Sequence, residues 1–215
     1  RSGAFYGYEG LGSIYWHMVS KLLLSIQENI SQAIGLKAPK GIVGNLIAHY
    51  YEIRAGIGIN KSPDLYGAFP TDAYSHTPKY AGAKQPGMTG QVKEDIINRW
   101  AELGIKVEDG CLSFEPFILR QLEFIKKEDT LSYYDHQGKA CKINVPNNGL
   151  AFTYCQVPII YLLGKKNSMN IYYSDGTFVQ KKERKLSVLD SKDVFKRSGK
   201  IEVIEVTLEE DSLID

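Results

Sequence analysis

The residues best placed to do chemistry fall in two stretches. In the first, Pro86-Gly87-Met88-Thr89-Gly90-Gln91 leads straight into an apolar periodic segment. Glycines allow a backbone to approach a ligand closely, and the first turn of a helix leaves its N–H groups without intrahelical acceptors. Such a turn favours an anion. Thr89 would donate its hydroxyl to a phosphate or sugar oxygen, or in the plainer reading would simply cap the helix. His17, next to Trp16 near the start of an earlier helix, is either a core imidazole or a group facing a pocket at that helix end.

The second stretch is an irregular segment over 57–88, rich in Gly, Pro, Ser and aromatic residues. Its length is unusual inside a compact domain, which marks it as a ligand loop. Tyr66, Tyr74 and Tyr80 offer ring faces on which a pyranose can stack, or they pack the loop onto its helices. Asp64, Asp72, His76 and the earlier Glu9 are titratable, and paired carboxylates are what glycoside cleavage requires. Ser62-Pro63-Asp64 and Pro70-Thr71-Asp72 also read as ordinary turns.

Metal chemistry is not indicated. His17, His49, His76 and His136 are scattered, and neither CxxC nor HExxH occurs. Cys111, Cys141 and Cys155 are odd in number and read as free thiols in a reducing compartment, so a cytoplasmic setting is expected, with the periplasm as the alternative. Lys plus Arg is 26 against 25 for Asp plus Glu, a net charge of +1 over 215 residues. That balance gives no electrostatic reason to expect nucleic acid or an anionic membrane as partner, and no apolar run has the length of a membrane span. The chain opens on Arg1-Ser2-Gly3, with no Met and no leader-like apolar core. It therefore reads as a piece of a longer chain.

Two regions must position these residues. Over 1–104 the apolar spacing is helical. Tyr15, Met18, Val19, Leu22, Leu23, Ile26 and Ile30 predict one helix, capped by Ser13 and stopped by Gly35. Ile42, Val43, Leu46, Ile47, Tyr50 and Ile53 predict a second over 41–54. A third follows Thr89-Gly90, with Val92, Ile96, Trp100 and Leu103 inward, and ends at Gly104. Over 105–215 the period becomes two. Strands are predicted around the Asp109-Gly110 turn, over 117–124, 131–134, 139–143, 150–163, 171–173, 177–180, 186–189 and 201–208, the last as an outer strand with one wet face. The fold class is thus α+β, a helical segment followed by an antiparallel, β-sandwich-like domain.

A resemblance sharpens this. Gly12-Ser13-Ile14-Tyr15-Trp16-His17, Lys61-Ser62-Pro63-Asp64-Leu65-Tyr66-Gly67-Ala68-Phe69-Pro70-Thr71-Asp72-Ala73-Tyr74 and Ala83-Lys84-Gln85-Pro86-Gly87-Met88-Thr89-Gly90 resemble, in that order, segments of cellobiose- and chitobiose-type phosphorylases. Leu103-Gly104-Ile105 with Gly110-Cys111-Leu112-Ser113-Phe114-Glu115-Pro116 is similar to the strand after the last barrel helix. The resemblance implies the C-terminal helices of an (α/α)6-type barrel ahead of the β domain. It also implies inverting phosphorolysis, with inorganic phosphate as co-substrate and no other cofactor. By position it places His17, Thr89 and Gly90 around phosphate, while Tyr66, Asp72, Tyr74 and His76 of the loop are expected around an oligosaccharide from their residue types. The general acid is expected upstream, in the rest of the parent chain, so this chain alone is expected to be inactive. Phe69-Pro70-Thr71 stands where the family has Glu-Pro-Tyr, and 84–91 holds no carboxylate, which favours a phosphorolytic or degenerate site over a hydrolytic one. The alternative is a non-catalytic carbohydrate-binding or structural module, its exposed helix faces serving self-association.

Overall fold

The computed structural model describes residues 13–57 and 89–214. The chain divides into two compact units between Arg99 and Trp100. The first holds α1 (Ser13–Gly35), α2 (Lys40–Ile57) and most of α3 (Thr89–Glu102). Gly35 is the last residue of α1 and not the residue beyond it. The helix is closed instead by Lys37, whose φ of 55° is left-handed. The N–H of Lys37 reaches the Ile34 carbonyl and that of Ala38 reaches the Ala33 carbonyl, at 3.0 and 2.9 Å. This pair of bonds satisfies carbonyls that the helix end would otherwise leave open. Pro39 then starts the next helix, accepting from the N–H of Ile42. Leu23 and Ile30, seven residues apart on one face of α1, are buried, as are Tyr50 and Tyr51 of α2.

The face of α3 differs from the expected one. Ile96 and Trp100 are 44% and 43% exposed, whereas Glu94, Asn98 and Glu102 are buried. Residues two apart stand roughly 200° apart around a helix, so α3 is turned by about half a revolution from the apolar-inward orientation. Leu103, just beyond it, is buried as expected. Gly104 ends the helix at φ 69°, and its Cα lies so close to Glu115 and Pro116 that a side chain there would collide with their backbone. The close approach lets the Glu115 N–H bond the Gly104 carbonyl at 2.7 Å.

In the second unit, β1 (Ile105–Glu108) and β2 (Cys111–Phe114) form the hairpin that Asp109-Gly110 predicts, both turn residues having positive φ. The other edge of β2 is closed by residues 184–186: Phe114 N–H bonds Arg184 O and Leu186 N–H bonds Leu112 O. A second hairpin pairs β3 (Asp129–Tyr134) with β4 (Ala140–Val145). The main sheet contains β5 (Gly149–Tyr154), β6 (Val157–Gly164), β7 (Ser168–Tyr173), β8 (Phe178–Lys181) and β9 (Ile201–Glu209), in the order β5-β6-β9-β7-β8.

The architecture is mixed α+β with mostly antiparallel strands; four α-helices occur among the described residues, and no barrel closes among them. One neighbouring pair, β6 and β9, runs parallel, against the wholly antiparallel expectation. The expected outer strand, β9, is the middle strand of its sheet. Its alternation is imperfect because Tyr172 pairs with Val203 and Tyr173 with Ile201, leaving Glu202 bulged. The apolar run over 150–163 is two strands joined at Cys155 and Gln156. Residues 117–124 are not a strand: they carry a single bridge from Arg120 to Ile214 and a 3-10 turn, Gln121–Glu123. At 186–189 the expected strand gives way to α4 (Val188–Phe195), whose N-cap Ser187 accepts from the Asp190 N–H at 3.1 Å.

Ile159 and Tyr161 of β6, Met169 and Ile171 of β7 and Ile204 and Val206 of β9 form the core of this unit. Leu112, Phe114, Leu119, Phe124 and Val194 cover it. The Tyr161 hydroxyl donates to the Leu103 carbonyl, so the ring's polar tip is satisfied inside the core.

A polar tie fixes α4 to the sheet. The Tyr173 hydroxyl donates to Asp190 Oδ1 at 2.9 Å, while Ser187 and Lys181 approach Oδ2 at 2.7 and 3.4 Å. Burial, and then the bond and charge of Asp190, push the Tyr173 phenol up to about 12. Burial alone would raise Asp190, but the Ser187, Tyr173 and Lys181 donors outweigh it and hold the carboxyl below its usual range. A raised phenol pKa stabilises the fold fully below the unfolded value near 10, and this contribution is lost as pH climbs toward 12. The lowered carboxyl contributes above its unfolded value and loses its contribution as pH falls through the acid range. Thermal unfolding should therefore show a decline in Tm above pH 10 that Tyr173→Phe flattens while lowering Tm at neutral pH. Parallel alkaline slopes in the two proteins would remove this tie from the account.

Candidate functional site

The expected anion site is placed only in part. α3 begins at Thr89, so Thr89 and Gly90 do open a helix, and His17 lies in the second turn of α1. The side chains of His17 and Thr89, and the whole of Tyr66, Asp72, Tyr74 and His76, lie outside the described residues. Asp64, Tyr80 and Glu9 do too.

What is described of the helical unit is a polar interior. Glu94 and Asn98 follow each other at the four-residue spacing that stacks side chains on one face. Lys21 Nζ reaches Glu94 Oε1 at 3.0 Å and ties α1 to α3. Asn98 is 3% exposed, yet neither its amide oxygen nor its nitrogen has a hydrogen-bond partner among the described residues; the buried Ser20 hydroxyl is in the same position. Native interiors rarely leave such groups unsatisfied without a reason, such as a bound water or ligand.

The second unit contains a cavity of about 270 Å³ that the sequence reading did not single out. Its rim is built from four local backbone features. Asp135 opens the β3–β4 turn, its Oδ1 accepting from the N–H groups of Gln137 and Lys139, each at 2.9 Å. Its Oδ2 faces the Cys141 thiol at 3.8 Å. The Lys139 N–H bond leads the groups that hold this carboxyl below its ordinary range. Cys155 and Gln156 form the two-residue β5–β6 turn, both with positive φ. Gln156 Nε2 donates to the Asp135 carbonyl at 2.8 Å, fastening one turn to the other.

Arg197 supplies the third feature. It closes α4 at φ 51°, its N–H bonding Val194 O while the Ser198 N–H reaches Asp193 O. The His136 ring lies flat against Gly199, where a Cβ would sit 2.5 Å from its Cε1 and Nε2. The β9 bulge is the fourth, and it turns Glu202 toward the cavity. Burial raises the Cys155 thiol against the opposing pull of Arg197. Burial also raises the Tyr133 phenol, with Cys141, Glu202 and Asp135 adding to the effect.

The sequence held partial signals for this site. The Gln137-Gly138 and Ser198-Gly199 turns are legible, but Cys155-Gln156 contains no customary turn residue and the bulge leaves only a broken alternation. All three cysteines are free thiols. Among the described residues, no group of three or more His, Cys, Asp or Glu is arranged to hold a metal ion, and no helix is long and apolar enough to cross a membrane. Neither protein-family models nor curated proteins give a match to the chain.

The amide of Asn98, unpartnered among the described residues, makes a stability test. An unsatisfied buried polar group costs about 1–3 kcal/mol. Asn98→Leu, of similar shape, should raise the Tm of the chain. A fall in Tm would mean that the amide is satisfied in solution by a water or ligand that Leu displaces.

Proposed function

We propose that the chain is the C-terminal part of a carbohydrate-active enzyme whose intact form cleaves a glycosidic bond, with the start of α3 holding inorganic phosphate beside His17. The observation that carries this reading is the reversed face of α3: Glu94 and Asn98 inside, Ile96 and Ile97 outside. In a barrel of two concentric helical rings, an inner helix turns its polar row toward the axis, where substrate sits. Its apolar row faces the outer ring. A helix meant to seal an ordinary core would carry the opposite arrangement.

The chemistry follows from the helix end. The first-turn N–H groups of α3, Gly90's among them, and the Thr89 hydroxyl supply donors to a phosphate, and the helix dipole adds a favourable field. The His17 imidazole supplies a further donor. Phosphate then attacks the anomeric carbon while a general acid from the rest of the parent chain protonates the leaving oxygen, the division of labour in inverting cleavage. Tyr66 and Tyr74 would stack on the oligosaccharide, and Asp72 and His76 would bond its hydroxyls.

A second reading, a non-catalytic interaction module, is favoured by a separate observation. Leu22, Leu36 and Ile42 of the helical unit are each more than half exposed. Scattered exposed apolar residues are normal, but several on one small unit suit contact with further protein. In that reading the helices dock on the rest of the parent chain or on a second copy.

The deciding experiment incubates the full-length parent with cellobiose, with and without inorganic phosphate. Phosphate-dependent release of glucose 1-phosphate is expected, with none from the 215-residue chain alone. Thr89→Ala should raise KM for phosphate more than KM for the sugar. Release of free glucose without phosphate would overturn the phosphorolytic reading. No turnover, with concentration-dependent self-association of the chain, would favour the interaction module.

A further inference from the structure

The cavity of the second unit has a charge pattern that no part of the fold consumes. Arg197 and Glu202 both line it, and neither forms an ion pair among the described residues. The third charged group, Asp135, is already committed. One oxygen holds the turn through two backbone N–H groups and the other faces the Cys141 thiol. Apart from the His136 imidazole, which packs on Gly199, what remains is one cation and one anion. They act on different neighbours: the Arg197 guanidinium on the Cys155 thiol, and Glu202 on the Tyr133 phenol. Val157, Pro158 and Ile201 give the same lining a short apolar wall.

A free anion entering this space would meet Arg197 but also the carboxylates of Glu202 and Asp135. A free cation would meet the converse conflict at Arg197. A neutral polyol would make charge-assisted hydrogen bonds at both groups but would neutralise neither charge. A ligand bearing one carboxylate and one ammonium matches both ends at once. The cavity, at about 270 Å³, lies just under the usual range for small-molecule sites, roughly 300–1,000 Å³.

We propose that this cavity binds a small zwitterion of the amino-acid or dipeptide class, its carboxylate on Arg197 and its ammonium on Glu202. The Tyr133 hydroxyl and the Gln156 carboxamide bound the same space, and the Val157–Pro158 wall takes the ligand's carbon skeleton. The backbone features described above hold these groups in place before any ligand arrives, which lowers the cost of ordering them on binding. The site belongs to the β unit alone and does not depend on the phosphate reading of the helical unit.

The thiols give the test its readout. Cys141 and Cys155 line the cavity, whereas Cys111 lies on β2 outside it. Alkylation by N-ethylmaleimide, followed residue by residue by mass spectrometry, should slow several-fold at Cys141 and Cys155 when millimolar glutamine or glycyl-glycine is present. Cys111 should be unaffected. Acetate, methylamine and glucose should give no comparable protection. Arg197→Gln and Glu202→Gln, both on exposed side chains, should each remove the protection while leaving Tm unchanged. Protection by glucose equal to that by the zwitterions would overturn the assignment in favour of a sugar site. No protection by either zwitterion, or protection that survives both substitutions, would overturn it outright.

Discussion

The β unit depends on its last strand. β5 with β6 and β7 with β8 are hairpins, and an isolated two-stranded hairpin is marginal in water. β9 enters between them, pairing parallel to β6 from Ile159–Ile204 onward and antiparallel to β7 from Ser168–Thr207 back. Only with β9 in place do Ile159, Ile171 and Ile204 share a dry face. A strand flanked on both sides has no free edge, so its residues are constrained in register by two neighbours at once. The Glu202 bulge is the point where those demands part: Ile201 still pairs with Tyr173, but beyond the bulge the strand meets β6 as well. The irregularity that releases Glu202 from the ladder thus follows from fitting one strand to two partners.

The helical unit obeys a different constraint. Burying Glu94, Asn98 and Ser20 costs free energy unless each finds a partner, and Lys21 answers for one oxygen of Glu94. With Ile96 and Ile97 turned outward, the unit forgoes apolar burial that the opposite rotation of α3 would have gained. Ser20 lies on α1 and Glu94 and Asn98 lie on α3, so the burial costs are shared by both helices. In the reading proposed above, a polar ligand or solvent-filled axis would lie on one side of α3 and further protein on the other.

Legibility in the sequence tracked the locality of the cause. Asp109-Gly110 announces its hairpin because left-handed backbone at two successive residues is a property of those residues. The start of α3 at Thr89 is legible for the same reason. Lys37 and Arg197 close α1 and α4 in the left-handed region without a glycine, so residue type does not mark either stop. Ser187 and Asp190, three apart ahead of an apolar stretch, carry a capping pattern, but the neighbouring Leu186, Val188 and Leu189 suggest a strand and mask it. The parallel pairing of β6 with β9 is not local at all. Nothing in either strand specifies a neighbour some forty positions away. The orientation of α3 was lost differently: periodicity says which residues share a face, and assigning the apolar face inward presumes that the helix seals a core. The candidate site residues of the 57–88 loop rest on residue type alone.

The cavity brings these threads together. An Asx-type turn at Asp135, a positive-φ turn at Cys155-Gln156, a left-handed cap at Arg197 and a bulge at Glu202 are each unremarkable as single events in a β-rich unit. Three lie in connections, those between β3 and β4, β5 and β6, and α4 and β9, and the fourth lies at the start of β9 itself. They converge on one concave space whose floor, at Val157 and Ile201, is continuous with the core. Sparse backbone conformations persist where surrounding structure enforces them, and they gather where side chains must be aimed. Here the enforcement is visible: Gln156 locks one turn onto the carbonyl of another, and the His136 ring occupies the space that any side chain at position 199 would need. The rim is thus fixed by interlocked turns, and it presents Arg197 and Glu202 outside any ion pair among the described residues, which is what the proposed zwitterion site requires.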